Sequence, residues 1–388
     1  MVNMASLSEI ATINPRMPKE LRADNNRRVS FLPMAAIRED GQLEEVETRV
    51  LSEVVKGYTY YERGDVLFAK ITPCFENGKA AYLESLPFDV GFGSTEFHVL
   101  RPNDRVDGRY LFHMVWNPTF RFLAAKAMTG AAGQKRVPTP FVKDFKIPLP
   151  SLVEQKRIAV ILDKADAIRR KRLEAISLAD IFLRSVFLKM FGDPVTNPMG
   201  WDVKKLEQVA DVSRGKFTPR PRNDPRYYGG NIPFIQTGDV VQSNTYVISH
   251  KQTLNEEGLK VSKKFQKGTI AITIAANIGE TAILSYPMCF PDSVVGIVPR
   301  EMPPEFLEHQ LRAFKPFLNQ RATKTAQKNI NLQNLRPLEV ICPPIDRQKC
   351  FFKHVECVFK RQSKLQEQFC IADNLFSSLQ QRAFRGDL

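Results

Sequence analysis

A chain that carries one unit twice must fold as two related halves. Here Ile147-Pro148-Leu149-Pro150-Ser151-Leu152-Val153-Glu154-Gln155-Lys156 returns 193 residues later as Val340-Ile341-Cys342-Pro343-Pro344-Ile345-Asp346-Arg347-Gln348-Lys349. The same offset pairs Gln134-Lys135 with Gln327-Lys328, Ala179-Asp180 with Ala372-Asp373, Ser185 with Ser378 and Phe191 with Phe384. Upstream, Leu7-Ser8-Glu9-Ile10-Ala11 echoes Leu206-Glu207-Gln208-Val209-Ala210, and Gly64-Asp65-Val66-Leu67 echoes Gly268-Thr269-Ile270-Ala271. The offset there drifts to about 200, so loop lengths differ between the copies. The chain is a module of roughly 190 residues written twice.

Each module has two parts. The first, residues 1–150 and 195–345, is rich in short β-like runs (65–71, 95–100, 269–274, 294–298) broken by turn residues such as Asn77-Gly78 and Gly229-Gly230. The second, residues 151–194 and 346–388, is helical. Its apolar positions run Ile158, Ile161, Leu162, Ala165, Ile168, Leu173, Ile176, Ala179, Phe182, Leu183, Val186, Met190 in the first copy. In the second they run Phe352, Val355, Val358 or Phe359, Gln362, Leu365, Phe369, Ala372, Leu375 or Phe376, Leu379, Ala383. Steps of three and four make a coiled-coil-like stripe. Prolines 148, 150, 343 and 344 precede the helices, and Gly192 and Gly386 sit where they stop. Each helix would be about 55–60 Å long, and the two are expected to pack on each other. The fold class expected is α+β: two β-rich heads, two long antiparallel coiled-coil helices and a pseudo-twofold internal repeat. With the heads at opposite ends, about 50 Å apart, they would match two half-sites on a duplex. An ordinary helix hairpin in a two-domain protein fits the periodicity equally well.

Composition narrows the partners. The 388 residues carry 56 Lys+Arg against 42 Asp+Glu, a net charge of +14. The four segments are net +2, +3, +6 and +3, so the excess is spread along the chain and favours a polyanionic partner. No apolar run is long enough for a membrane span, and residues 1–15 have no signal-peptide pattern. Six cysteines form no C-x-x-C pair and read as buried, reduced thiols of a cytoplasmic protein, Cys350 and Cys357 in the helix seam.

The motif Ile147-Pro148-Leu149-Pro150 followed by Glu154-Gln155-Lys156-Arg157-Ile158 resembles the start of the spacer helix in specificity (S) subunits of type I restriction-modification systems. Phe191-Gly192-Asp193-Pro194 with Gly200-Trp201 and Leu206 resembles their entry into a second target-recognition domain, and Ala383-Phe384-Arg385-Gly386-Asp387-Leu388 their C-terminus. The resemblance implies a non-catalytic subunit whose two target-recognition domains each read half of a split sequence in double-stranded DNA. It implies that the helices set the gap and dock two methyltransferase (M) subunits using S-adenosylmethionine. Restriction motor-nuclease (R) subunits using ATP and Mg²⁺ would join them. Glu154, Gln155, Arg157, Gln348 and Lys349 are the expected docking residues. Two departures stand out. Arg347 replaces the Glu before Gln348, and the first head begins abruptly at Leu7.

Base readout needs Arg, Lys, Asn, Gln, Ser or Thr on loops beside a groove, with Lys or Arg near the phosphates. Three regions occur in both heads. The first holds Lys70, Thr72, Asn77 and Lys79, matched by Asn277. The second holds Gln134, Lys135 and Arg136, matched by Gln327, Lys328 and Asn329. The third is the basic, Pro-interrupted loop with Arg214, Lys216, Arg220 and Arg222, matched by Arg27 and Arg28. Gln236 and Thr237 are further candidates. Each region also reads as a plain turn or solvated basic loop, and Arg169-Arg170-Lys171-Arg172 as a solvated helix face.

Chemistry is harder to find. There is no phosphate loop and no cofactor glycine fingerprint. Asn117-Pro118-Thr119-Phe120 is a weak likeness to the Asn-Pro-Pro-Tyr/Phe loop of adenine methyltransferases, and Pro291-Asp292 lacks the Asp/Glu-x-Lys of a nuclease. The sequence therefore points to a DNA-binding subunit with an asymmetric, bipartite target. A catalytic DNA methyltransferase or nuclease with an unrecognised site, and a stand-alone DNA-binding regulator, are the rival readings.

Overall fold

The computed structural model describes residues 3–131, 133–275, 277–322 and 329–388. The chain forms two compact units, residues 1–171 with 368–388, and residues 172–367. Each unit holds one β-rich head, half of one long helix and part of the other. Among the described residues no helix is long and apolar enough to cross a membrane.

In the first unit the chain enters through a strand, Met4–Ser6, antiparallel to Lys146–Pro148, with Ala5 opposite Ile147. The first head therefore begins ahead of Leu7: its lead-in is a strand closed onto the proline motif. The helix turn Leu7–Ile10 follows, its start fixed by the Ser6 amide donating to the Glu9 carboxylate at 2.6 Å. Two four-stranded sheets make the body. One runs Ala11–Ile13, Phe97–Pro102, Val66–Ala69, Ala80–Tyr82, and the other Glu47–Val50, Arg28–Leu32, Val90–Gly93, Thr59–Glu62. The helix Gly108–Trp116 covers the first sheet, burying Tyr110, Leu111 and Met114 with Phe68, Leu100 and Phe120.

The second unit repeats this plan down to backbone bonds. Val203–Lys205 pairs with Glu339–Ile341 as Met4–Ser6 does with Lys146–Pro148. The Lys205 amide donates to Gln208 Oε1 at 2.8 Å, as Ser6 does to Glu9. In the hairpin turns, Gly64 and Gly268 adopt φ of +89° and +85°, a conformation that favours glycine. Gly64 N–H donates to Leu83 O and Leu83 N–H to Asp65 O; Gly268 N–H donates to Leu284 O and Leu284 N–H to Thr269 O. The sheets are Ala210–Arg214, Val294–Pro299, Ile270–Thr273, Thr281–Leu284, Tyr246–Val247, and Gln252–Leu254, Tyr228–Phe234, Met288–Cys289, Lys264–Phe265.

The long helices are Leu152–Phe191 and Ile345–Arg385, 40 and 41 residues. Gly192 and Gly386, at φ of +76° and +77°, end them. Within each unit they run antiparallel. In the first unit Arg169 Nη1 lies 3.5 Å from Asp373 Oδ1, and Ile158, Leu162 and Ala165 share a core with Phe376 and Ala383. In the second, Gln362 Nε2 donates to Asp180 Oδ1 at 3.0 Å and Phe187 and Phe191 meet Phe351. Residues 169 and 362, like 180 and 373, are 193 apart, so one interhelical polar contact occurs twice. The seam of the second helix uses Phe351 rather than the expected Phe352, and Phe376 rather than Leu375. The cysteine expectation also fails. Cys350, Cys357 and Cys370 are exposed and Cys289 is the buried one. Cys350 and Cys357 lie on a helix face turned away from the seam, because the stripe passes through Phe351 and Val355.

The structure overturns two expected docking residues. Gln155 and Gln348 are buried, each clamping the turn before its helix. Gln155 Nε2 donates to Pro150 O at 2.9 Å and Gln348 Nε2 to Pro343 O at 2.7 Å. Gln155 does more: Nε2 also donates to Arg105 O at 3.0 Å, and Oε1 accepts from the Asp107 amide at 2.8 Å. Asp107 caps Gly108–Trp116; at the same place in the second unit Pro303 caps Pro304–Ala313 and has no N–H to give. Gln348 Oε1 is accordingly buried without a hydrogen-bond partner among the described residues.

Charge joins the first head to its long helix and is buried inside the second head. In the first unit Asp163 of the long helix accepts from Arg109 Nη1 at 2.7 Å and His113 Nε2 at 2.8 Å. In the second, fully buried Glu308 accepts from Thr281 Oγ1 at 2.7 Å and Arg312 Nη2 at 2.6 Å, with His309 Nδ1 at 3.0 Å. Burial alone would raise the Glu308 pKa; the Arg312 charge, with His309 and Thr281, outweighs it and holds the carboxyl at about 2.

Two stability measurements follow. Gln155→Ala leaves the Asp107 amide and two carbonyls without their partner and is expected to cost about 2–3 kcal/mol, against about 1 for Gln348→Ala. Hydrogen exchange at the two helix starts in the full chain reads the difference; equal protection in both variants refutes it. For Glu308, the depressed pKa contributes stability above the unfolded value near 4.5 that is lost as pH falls toward 2. Urea unfolding of the native chain should lose about 2 kcal/mol more than Glu308→Gln between pH 6 and pH 3.

Candidate nucleic-acid interface

In the first head, sequence-distant loops meet at one end of the first sheet. The Lys70 amide donates to Glu96 O at 2.8 Å, and the Val137 amide to Lys70 O at 2.8 Å. Ile71 bridges Arg136, the Thr72 amide donates to Lys135 O at 3.0 Å, and the Lys135 amide returns to Thr72 Oγ1 at 3.1 Å. Lys70, Thr72, Gln134, Lys135 and Arg136 thus form one patch, with Gln134 and Lys135 exposed at its edge. Arg136 lies in a two-pronged pair with Glu96, Nε to Oε2 at 3.0 Å and Nη2 to Oε1 at 2.8 Å. The Arg136 hydrogen bond holds the Glu96 carboxyl below its usual range. Beneath the patch, buried His98 donates from Nε2 to Val137 O at 2.8 Å, and burial keeps its imidazole pKa low.

Four expected residues lie elsewhere. Asn77 donates to Glu39 Oε1 at 2.7 Å and Lys79 to Met34 O at 3.1 Å. Gly78 between them is buried against Arg121, and its carbonyl accepts from Trp116 Nε1 at 3.0 Å. This turn therefore anchors the helix layer. Arg27 and Arg28 are exposed but stand at the opposite end of the strand Arg28–Leu32. The Leu32 end is the one beside the patch, its carbonyl accepting from the Ser94 amide, and four residues of strand span about 13 Å.

The second head builds the same frame. The Ile274 amide donates to Ser293 O and the Ile330 amide to Ile274 O, both at 3.1 Å. These correspond to the bonds at Lys70, Glu96 and Val137. Asn277 and Asn329 are exposed on it; Gln327 and Lys328 lie outside the described residues. The basic loop runs onto the same end. Arg214 pairs with Val295, the Gly215 amide donates to Val294 O at 2.9 Å and the Lys216 amide to Phe290 O at 3.1 Å. Arg222 Nη2 donates to Asp292 Oδ1 at 2.6 Å, and Arg220 Nη2 lies 3.8 Å from Oδ2. Gln236 lies two residues beyond the strand Tyr228–Phe234, its side-chain Nε2 donating to Gln252 Oε1 at 3.0 Å, and Thr237 opens a short helix. The Ile235 amide donates to Cys289 O at 3.0 Å, which places this end next to Phe290.

Sequence reasoning missed the carboxylates. Glu96 carried no motif, and Asp292 was weighed only as part of a nuclease. It also missed Lys263, whose Nζ donates to Ser213 Oγ at 2.8 Å beside Arg214. Of the docking candidates, Glu154 and Arg157 form an i,i+3 pair at 2.9 Å on the first long helix, and Lys349 is exposed on the second. Arg169 and Arg170 both bond Asp166, which is buried, so half of the four-residue basic run is tied into the seam. Asn117 is buried, capping a helix by accepting from Thr119 N–H and donating to Gln380 O at 3.0 Å.

Comparison with known proteins adds the family. The chain is 43% identical over 162 residues to the type I restriction enzyme EcoEI specificity subunit of Escherichia coli, a match over 41% of this chain and 27% of that protein. It thus spans about a quarter of that relative's length. It is 24% identical over 341 residues to the EcoKI specificity subunit of Escherichia coli strain K12, covering 80% of this chain and 72% of the relative. Its fold matches the type I restriction-modification S subunit from M. genitalium at a TM-score of 0.58 and 13% identity, over 99% of this chain and 96% of that one. The family model for the type I restriction modification DNA specificity domain matches twice, at residues 2–178 and 198–368, one copy to each half of the repeat, and the chain belongs to that family.

Proposed function

We propose that this chain is the non-catalytic, DNA-reading subunit of a type I restriction-modification complex, recognising an asymmetric target in two parts. One observation carries the reading. Each head presents the same backbone frame, bonded at residues 70, 96 and 137 and again at 274, 293 and 330, yet decorates it differently. Lys70, Lys135 and Arg136 stand on one; Asn277, Asn329 and the arginine loop stand on the other. Equal frames with unequal side chains fit two different half-sites better than a palindrome.

The long helices fit a role as spacer and dock. On the first helix Val153, Val160 and Ile168 are exposed within the first unit, and Leu178, Ile181 and Phe182 within the second. Apolar side chains in such numbers favour cover by protein. The occupants proposed are two methyltransferase (M) subunits, with motor-nuclease (R) subunits joining them. S-adenosylmethionine, ATP and Mg²⁺ belong in this scheme to those partners and not to this chain.

The test is co-expression with the adjacent methyltransferase. One S chain with two M chains by native mass, and a methylated motif with a central run of unspecified bases, is the expected result. A lone chain that binds S-adenosylmethionine, or a contiguous palindromic motif, refutes it. Within that complex Lys135→Ala should weaken cognate and scrambled duplexes alike and lower the salt slope by about 0.9. An effect confined to the cognate duplex would make Lys135 a base reader.

A further inference from the structure

Glu96 and Asp292 occupy the same inter-strand turn of their heads. Glu96 follows the strand Val90–Gly93 and precedes Phe97–Pro102; Asp292 follows Met288–Cys289 and precedes Val294–Pro299. The turns are equivalent because the Lys70 amide bonds Glu96 O in one head and the Ile274 amide bonds Ser293 O in the other. Each turn thus puts one carboxylate at the rim of the candidate interface, and each carboxylate takes an arginine from a different loop. Glu96 grips Arg136, which lies just before the short helix Thr139–Asp144, while Asp292 grips Arg222, with Arg220 beside it, from the loop after the strand Ala210–Arg214.

Stability gives little reason for this. The pairs are partly exposed, at 43% and 25% for Arg136 and Glu96 and 47% and 41% for Arg222 and Asp292, and solvated ion pairs contribute little to folding. A negative charge at the rim of a basic patch also repels DNA phosphates. What it does supply is geometry. A guanidinium held on one edge by a carboxylate keeps its plane and its remaining N–H groups fixed, and a planar fork is what guanine O6 and N7 accept. The same negative charge disfavours the competing pose, in which the arginine collapses onto a phosphate.

We propose that Glu96 and Asp292 are specificity-determining positioning residues, one for each half-site, each fixing an arginine fork toward a base edge and away from the backbone. This rests on the DNA-reading function proposed above. The two heads put a carboxylate in the same turn, one residue apart, but take the arginine from different loops, so the forks reach the groove from different sides and read different positions.

The experiment uses the complex of the full chain with its methyltransferase. Methylated motifs are sequenced for the native chain, Glu96→Gln, Asp292→Asn, and the charge-keeping Glu96→Asp and Asp292→Glu. In parallel, binding to a cognate and a scrambled duplex is measured at two salt concentrations. Glu96→Gln should relax one half of the motif and Asp292→Asn the other half. In each neutral variant, cognate-over-scrambled discrimination should fall about tenfold while scrambled binding holds or tightens and its salt slope steepens. The charge-keeping variants should retain most of the selectivity. An unchanged motif overturns the proposal. So does relaxation of both halves by one substitution, or equal loss on both duplexes, which marks a general structural defect. A native chain that yields no gapped motif overturns the DNA-reading function itself, whatever the variants do.

Discussion

Forty-residue helices with one buried stripe do not hold themselves straight in water; they need a second surface along their whole length. Here that surface changes identity along the helix. The first half of Leu152–Phe191 packs on the first head and on the last part of Ile345–Arg385, and the second half packs on the second head and the early part of that helix. A compact unit therefore contains residues from both ends of the sequence. The recurring polar contact, Arg169 with Asp373 and Gln362 with Asp180, fixes the register of two helices that could otherwise slide by a turn.

The duplication survives best where backbone bonds do the structural task and worst where side chains do. The Gly64 and Gly268 turns, the Ser6 and Lys205 caps and the closing strand pairs are repeated bond for bond. The charged joints are not. Asp65 sits buried under Arg101 in the first head, whereas its counterpart Thr269 has a buried hydroxyl with no hydrogen-bond partner among the described residues. Asp163 gathers Arg109 and His113 in one unit; in the other, His309 lies between Phe187 and Phe351, and Glu308 holds the charge. Gln155 and Gln348 lie between these extremes, with the same clamp bond and different amounts of support.

The repeat, the helix spans and the β-rich character of the heads were legible because each leaves a local or periodic trace. The phase of the seam was not. Phe351-Phe352 and Leu375-Phe376 offer two adjacent apolar residues, and a period of 3.6 does not choose between them until the partner helix is present. The loops were half legible. Lys70 and Arg136 were recognisable as polar or basic turn residues, but their meeting depends on pairing across more than sixty residues. Arg27 and Arg28 were misplaced for a related reason: a sequence shows that a residue flanks a strand, while the sheet decides which end of the strand is near which loop. The inward turn of Gln155 was hidden because glutamine is ordinarily a surface residue, and two of its three partners, Arg105 and Asp107, lie about fifty residues away in sequence.

The frame beneath the interface is tied together by amides and carbonyls rather than by the side chains it displays. Side-chain changes at the partly exposed positions 70, 96 and 136, or at 293, leave those main-chain bonds intact, provided proline does not enter at 70 or 136. Surface identity is thereby uncoupled from foldability. A lineage carrying such a chain can alter what one head displays, leave the other head untouched and still fold, so that new combinations arise by changing or exchanging half of the molecule at a time.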